Sequence, residues 1–566
     1  MRIPDAHAAK QVAEFGACSN KRRADEAFQT RSVDVAVAIA TRRDDRGLSS
    51  ESAALASLVA PIAWNVGTPD SIPRLVVGGN SYRISSTITA QRSVLRLVVR
   101  SRVRVIGRAR SVVRWTVMAR LPPGSMGAPF VGEALQFLKD PFAFTLSRTR
   151  QHGNVWKTRM LGDTVVFFAG PKAFSFFMNP EHFTRQSGSP RFLQELLHPD
   201  AVPFLDGERH RVRKHLLLSA FTDRALASYL PGIFSVITRF VERWAAAGEQ
   251  PIASEMSQLA FDVADLLFAA SDPARSNVEV AGDFAALIRG TFSPPVNLPF
   301  TTYGKAVKAR DRLRSYIKRQ IATRDGAGSA LGVLKAVRGP GGERLSAEEL
   351  EIEILHFFFA AHGGLTAALA WALVVLGEHP DLAHRLRAEA DARLGDGPPT
   401  LAEIRALRDA RAVAREVLRI YPVAPTTFFG VARRDLDFEG YTIRAGWKGA
   451  GAIWATLQDS ATFTDPTVFR GDRLGDDAVS ALPGNSFVPQ GGGQPEGHRC
   501  PGESLIQLVV PAFLGWFTRH YELTYPEQDA SPGSGGLGPL PRSQLRVGIA
   551  KRGNTNQNRE PTSGSL

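Results

Sequence analysis

The stretch Phe487–Glu503, FVPQGGGQPEGHRCPGE, decides how the chain is read. It is a glycine-rich loop that delivers Cys500 to the head of an apolar segment, ESLIQLVVPAFLGWF (503–517). That segment is expected to form a buried helix, kinked at Pro511. A cysteine at the head of a helix feels unpaired N–H groups and the positive end of the helix dipole, and both favour thiolate. Gly491, Gly492, Gly493 and Gly497 let backbone approach a large flat ligand, and Gly502 lets the helix pass close beneath it. Cys18 and Cys500 are the only cysteines, so neither a disulfide framework nor a zinc site accounts for Cys500.

A single thiolate on such a loop suits a haem axial ligand, which pushes electron density onto iron and favours O–O cleavage. The plain alternative is a buried structural cysteine beside a turn. HRCPGE (498–503) after a glycine-rich loop resembles the haem-ligand signature of the cytochrome P450 family, and the resemblance spans residues 118–552. It implies a mainly α fold with small β-sheets, the cytochrome P450 fold. In that fold haem b (iron protoporphyrin IX) lies between a long distal helix and the proximal helix of the cysteine loop. The resemblance makes Cys500 the axial ligand of the haem iron and Gly493 part of the loop that receives the cofactor. His498 stands where relatives bond a haem propionate.

Upstream, Ser346 and Glu349 form the pattern of a capping box. The run ILHFFFAAHGGLTAALAWALVVL (354–376) that follows is apolar nearly all round, which predicts a helix buried through the core. Gly363 and Gly364 in its middle cost about 1 kcal/mol each relative to alanine. Close approach to a flat cofactor would explain them, and so would helix–helix packing. In the family this is the distal helix, whose Ala-Gly-x-acid-Thr motif relays protons to bound oxygen. Ala360, Ala361 and His362 align with the motif's start, which puts Gly363 at the acid and Gly364 at the alcohol, so both relay side chains are missing. Thr366 lies two residues further on and points elsewhere on a 3.6-residue turn. These five positions, 360–364, are placed near the oxygen site, with His362 either a base or a bystander, and none receives a catalytic role.

In DGERHRVRKHLLLSAF (206–221), His210 and Lys214 sit one helical turn apart. The resemblance implies that both reach haem propionates, where a cation makes charge-assisted hydrogen bonds. The alternative is a solvated basic face. Many relatives place another propionate-binding arginine near Gly430 and Val431, and this chain does not. Glu416 and Arg419 form an ExxR pair, and Arg473 in FRGDRL (469–474) aligns with the arginine that completes the family's structural triad. NVWKTRML and TVVFFAG predict a hairpin turning at Gly162-Asp163, and DFEGYTI (437–443) a second small one. Phe357, Phe358, Phe359 and Phe428 are expected to line an apolar substrate pocket, with Pro425–Phe429 beside the haem. Phe292, Pro294, Pro295 and Phe300 are assigned by position to a substrate-channel loop.

The net charge of +14 is uneven: residues 1–117 hold 19 Lys and Arg against 9 Asp and Glu. That distribution does not describe a uniformly basic nucleic-acid binder, and no nucleic-acid partner is expected. Residues 1–117, with RLVVRSRVRVIGRARSVVR (96–114), read as an atypical Arg-rich N-terminal extension, disordered or not native, ahead of a start at Met118. This segment lacks a run of about 18 uncharged apolar residues, so no integral membrane anchor is expected there. Cysteine usage fits a reducing compartment, and the expected location is cytoplasmic. The polar tail 553–566 is expected to be disordered.

The resemblance implies an oxidoreductase, and three readings stay open. The first is a monooxygenase that inserts an oxygen atom into an apolar small molecule, with electrons from a ferredoxin or reductase. The second is a peroxide-using fatty-acid peroxygenase, or a hydroperoxide-rearranging enzyme, that needs no electron donor. The cysteine loop with YELTYPEQD (521–529) is most similar to the peroxygenase branch, yet that branch's distal Arg-Pro pair is replaced by Gly363-Gly364. The third is a haem-binding protein without turnover.

Overall fold

The computed structural model describes residues 74–77, 80–83, 120–291, 293–532, 540–541 and 545–553. The chain divides into two units, Met1–Met118 and Ala119–Leu566. In the first, strands β1 (Arg74–Val77) and β2 (Asn80–Arg83) pair antiparallel. The Arg-rich stretch 96–114, the tail beyond Gly553 and Phe292 lie outside the described residues.

The second unit is mainly helical. Its longer helices are α1 (Gly207–Leu218), α2 (Asp223–Ala247), α3 (Ile252–Ala269), α4 (Val278–Thr291), α5 (Thr302–Thr323), α6 (Ala347–Glu378), α7 (Pro380–Arg393), α8 (Arg408–Ile420) and α9 (Glu503–His520). A five-stranded sheet runs in the order β3 (Val155–Met160), β4 (Asp163–Phe168), β10 (Lys448–Gly451), β7 (Gly430–Ala432), β5 (Phe183–Thr184). Smaller sheets join β11 (Tyr521–Thr524), β12 (Arg546–Lys551) and β6 (Gln250–Pro251), and pair β8 (Leu436–Phe438) with β9 (Tyr441–Ile443).

The helix α6 begins where the capping box places it. Ser346 Oγ accepts from the Glu349 backbone N–H at 3.1 Å, and the Glu349 carboxylate accepts from the Ser346 N–H at 2.9 Å. At 1.5 Å per residue its 32 residues run about 48 Å. It is long and apolar enough to cross a membrane, but 83% of its most apolar window is buried inside the fold. The apolar reading missed two carboxylates buried in its first half. Glu351 meets Arg314 of α5 at 2.5 Å, and Glu353 meets Arg213 of α1 at 2.9 Å. Such groups persist in a core only when paired.

The three consecutive phenylalanines do not line one pocket. Successive helical positions rotate by about 100°, so three neighbours cannot share a face. Phe357 and Phe358 pack against Phe268 of α3, with ring centroids 5.2 and 6.2 Å away. Phe359 alone joins the cluster of Leu197, Phe204, Ile352 and Phe428.

The helix α9 continues through Pro511 as one element, Glu503–His520. Proline removes one ladder hydrogen bond, but Leu508 to Thr518 are all buried, and that packing holds the helix. The β3–β4 hairpin also turns one residue earlier than expected. Asp163 already pairs with Met160, and Leu161 and Gly162 form the turn with φ of 49° and 91°. Positive φ at both central residues matches the twist of a tight hairpin. Both faces of β4 are covered: Val166 and Phe168 pack with Phe177 and Phe183, while Val165 and Phe167 pack with Trp156 and Ala450.

Candidate functional site

The cysteine loop is held by its own backbone. Cys500 N–H donates to the Gln490 carbonyl at 3.2 Å, and Gly491 N–H to that of Val488 at 2.9 Å. Gly493, at φ 85°, donates its N–H to Asn485 Oδ1 at 2.7 Å. A Cβ on Gly492 would stand 2.4 Å from Asn485 Oδ1 and 2.9 Å from the Phe174 ring, so no side chain fits there. Lys214 of α1 reaches across and donates through Nζ to the carbonyl of Arg499, the residue before Cys500. Arg499 in turn bonds Glu503 in the first turn of α9, with Nη2 to Oε1 at 2.6 Å.

The Cys500 side chain keeps some accessible surface. The protein around it is nevertheless dense enough that burial pushes its thiol up, against the Gly502 backbone N–H and the Lys214 and Arg499 charges that favour thiolate. The expected lowering by the helix head is therefore outweighed by desolvation, because Cys500 stands three residues before Glu503. Among the described residues no group of three or more His, Cys, Asp or Glu could hold a metal ion by itself.

Beside the loop lies a cluster of cationic and titratable side chains. The His210 and His498 rings stack with centroids 4.1 Å apart. His498 Nε2 is 3.9 Å from Asp206 Oδ1. Asp206 also accepts from Thr184 Oγ1, from the Arg185 N–H at 2.8 Å and from the Gln186 N–H at 3.0 Å. Burial raises its pKa, but these hydrogen bonds, led by those from His498 and Thr184, prevail and hold the carboxyl well below the usual range. Burial, then the neighbouring His498 and Lys214, lowers His210 to about 3, and burial lowers His498 to about 4. In both rings burial favours the neutral form. Lys214 is lowered to about 8 by burial, against the pull of Cys500 and nearby carboxylates. Arg185 completes the cluster, and sequence reasoning missed it, since no motif marks it.

On α6, Ala360 is exposed although Phe359 before it and Gly363 after it are buried. His362 turns the other way. Its Nε2 lies 3.1 Å from both Ser257 Oγ and the Ser257 carbonyl on α3, and its ring packs edge-on to Phe284 at 4.8 Å. Burial lowers its pKa to about 4. Thr366 Oγ1 donates to the His362 carbonyl at 2.7 Å, so its hydroxyl is spent on its own helix. A Cβ on Gly364 would meet Ile506 Cδ1 of α9 at 3.5 Å, which places this glycine where the two helices converge. That is ordinary van der Waals contact, so packing against α9 does not by itself require glycine at this position.

The residues Glu416, Arg419 and Arg473 come together. Arg419 makes a two-pronged pair with Glu416 at 2.8 Å on each arm, and Arg473 Nε donates to Glu416 Oε1 at 2.9 Å. The Arg419 guanidinium also reaches the carbonyls of Leu457 and Pro466, and Arg473 those of Thr464, Asp465 and Val468. The triad therefore staples α8 to the segment that leads into the cysteine loop.

An accessible thiol, a loop closed to side chains at Gly492 and a cluster of donors beside it fit haem: a soft ligand for iron, and partners for carboxylates. The family model described as Cytochrome P450 matches residues 122–281 and 296–538. The Putative cytochrome P450 120 of Synechocystis sp. (strain ATCC 27184 / PCC 6803 / Kazusa) is 32% identical over 437 residues, covering 75% of this chain and 96% of its own. Abscisic acid 8'-hydroxylase 3 of Oryza sativa subsp. indica is 31% identical over 403 residues, covering 69% of this chain and 79% of its own. The solved structure of retinoic acid bound cyanobacterial CYP120A1 superposes with a TM-score of 0.71 at 31% identity, covering 77% of this chain and 100% of that one.

Proposed function

The chain belongs to the cytochrome P450 family, and from that premise we propose that it hydroxylates an apolar isoprenoid carboxylic acid, with electrons from a ferredoxin or reductase partner. It is a haem-thiolate oxidoreductase of the monooxygenase type, with haem b as cofactor and a small molecule as substrate. The substrate class rests on the relatives: one hydroxylates abscisic acid and another binds retinoic acid, and both compounds are isoprenoid acids. The single observation that carries the site assignment is the loop that presents Cys500 with Lys214 bonded to the preceding carbonyl.

Haem held by Cys500 supplies an electron-rich iron at which oxygen is activated. The chain's own residues do the rest. His210, Lys214 and His498 hold the carboxylate edge of the cofactor, and Gly493 gives it room. Glu416, Arg419 and Arg473 keep the loop in place. Phe204, Phe359 and Phe428 form the apolar wall that excludes water and receives the substrate. Gly363 and Gly364 offer no side chain to move a proton, so protons reach oxygen through water or a substrate hydroxyl. The proposed enzyme unit is residues 118–552, acting in the cytoplasm.

The test incubates purified protein with retinoic acid, abscisic acid and a fatty acid in two arms. One arm supplies NADPH with a surrogate ferredoxin and reductase, and the other hydrogen peroxide alone. Hydroxylated isoprenoid acid in the reductase arm is the expected result. Product from the fatty acid in the peroxide arm alone would replace this reading with the peroxygenase one, which the bare Gly363-Gly364 pair would then serve.

A further inference from the structure

Among the described residues, three arginines are buried: Arg185, Arg213 and Arg419. Two of them have carboxylate partners, Arg213 with Glu353 at 2.9 Å and Arg419 with Glu416 at 2.8 Å. Arg185, 4% exposed, has no ion pair among the described residues. Its guanidinium lies 4.1 Å over the Phe177 ring and makes two long contacts, Nη1 to the Phe428 carbonyl at 3.4 Å and Nη2 to Met178 Sδ at 3.7 Å. Asp206 takes the backbone N–H of Arg185, not the guanidinium.

A buried guanidinium without a direct ion pair is costly: burial lowers its pKa to about 10, and the Asp206 charge, which acts on it without bonding the fork, only partly offsets this. Its position is nevertheless built. Asp206 binds the backbone at Arg185 and Gln186, and Phe177 supports the plane of the fork. Nη1 lies over Gly430, where an added Cβ would stand 2.9 Å away, so a side chain there would push the guanidinium aside. Its charge acts on both His210 and His498. A planar, two-pronged cation beside two imidazoles and Lys214 is the receptor that a carboxylate needs.

We infer that Arg185 is a cofactor-binding residue whose guanidinium pairs with a propionate carboxylate of the haem. The inference rests on the haem reading of the site, which the thiolate-type ferrous–CO band of the wild-type protein tests separately. The geometry separates Arg185 from the other donors: it approaches from β5 across Gly430, whereas His210 and Lys214 come from α1 and His498 from the cysteine loop.

The test uses full-length holoprotein and the variants Arg185→Gln and Arg185→Lys, and measures haem transfer to excess apomyoglobin. Arg185→Gln should lose haem about tenfold faster or more, the scale of a charged hydrogen bond, and Arg185→Lys should fall between. Wild-type protein reconstituted with protohaem dimethyl ester should lose it faster than haem, and that gap should narrow in Arg185→Gln. Haem loss at the wild-type rate in Arg185→Gln, or an unchanged gap, overturns the inference. So does wild-type haem retention combined with a lost spectral shift on adding retinoic acid, which would assign Arg185 to a substrate carboxylate. If Arg185→Gln does not fold, the milder Arg185→Lys gives the same comparison of haem with its diester.

Discussion

Arg213 on α1 and Glu353 on α6 form a buried ion pair, with Nη1 2.9 Å from Oε1 and the two side chains 6% and 0% exposed. It ties the helix that carries His210 and Lys214 to the distal helix. Glu353 also accepts from the Val202 N–H at 2.9 Å and faces His356 Nδ1 at 3.2 Å. Glu353→Ala should destabilise the protein by about 3 kcal/mol, because it leaves the buried Arg213 with only the partly exposed Glu349 as partner. Chemical denaturation with matched slopes measures it. The double variant Arg213→Met/Glu353→Leu should recover much of the loss, and a double variant as unstable as the single one would argue against this account.

The triad makes a related forecast with a different readout. Glu416→Gln removes the charge shared by Arg419 and Arg473, both of which are bonded to it. The expected outcome is a sharp fall in haem per mole of purified protein together with a lower melting temperature. The loss should be about 3 kcal/mol or more, as for one partner removed from a buried charge network. Full haem content in Glu416→Gln would show that the cysteine loop holds itself.

Cys500→Ser replaces the soft ligand with a weak oxygen donor. The thiolate-type ferrous–CO band should vanish and turnover with it, while the fold, read by circular dichroism, persists. A retained thiolate-type band would remove Cys500 from the iron.

His362 is turned to Ser257 and away from the exposed side of α6, and its folded pKa is depressed from 6.5 to about 4. The folded state therefore binds fewer protons than the unfolded one between those values. The stability tied to neutral His362 is fully present above pH 6.5 and declines as pH falls toward 4, by at most about 1.4 kcal/mol per pH unit. His362→Gln should flatten this part of the stability–pH curve and leave the pH dependence of kcat unchanged. A kcat profile that shifts in His362→Gln would make the histidine a proton carrier after all.

Gly364 sits mid-helix with its β position in ordinary contact, 3.5 Å from Ile506 Cδ1. Gly364→Ala should be accommodated and should raise stability by up to about 1 kcal/mol through helix propensity. The thermal midpoint of the holoprotein checks this, and a fall would mean that α6 and α9 leave no room for a methyl group.

Much of the site was legible because its signals are local. The capping box at Ser346, the i,i+3 pair of Glu416 and Arg419, and the glycine loop before Cys500 each lie within a few residues, where spacing alone dictates who meets whom. The same logic failed at the phenylalanine triplet, where three neighbours of one type suggested one pocket and helical rotation sent them to two.

The sequence by itself determined the haem-thiolate chemistry, the mainly helical fold and the helix that runs through its core. Hydrophobic pattern encodes the core helix, while the chemistry and the fold follow from the family resemblance that the cysteine loop carries. Only the tertiary structure decided that Arg185 lies over Gly430 with no ion pair among the described residues, that Glu353 is buried against Arg213, that His362 looks toward Ser257, and that desolvation raises the Cys500 thiol. Each of these depends on segments remote in sequence closing around one group, and on the loss of water that follows. Neither spacing nor composition records that closure.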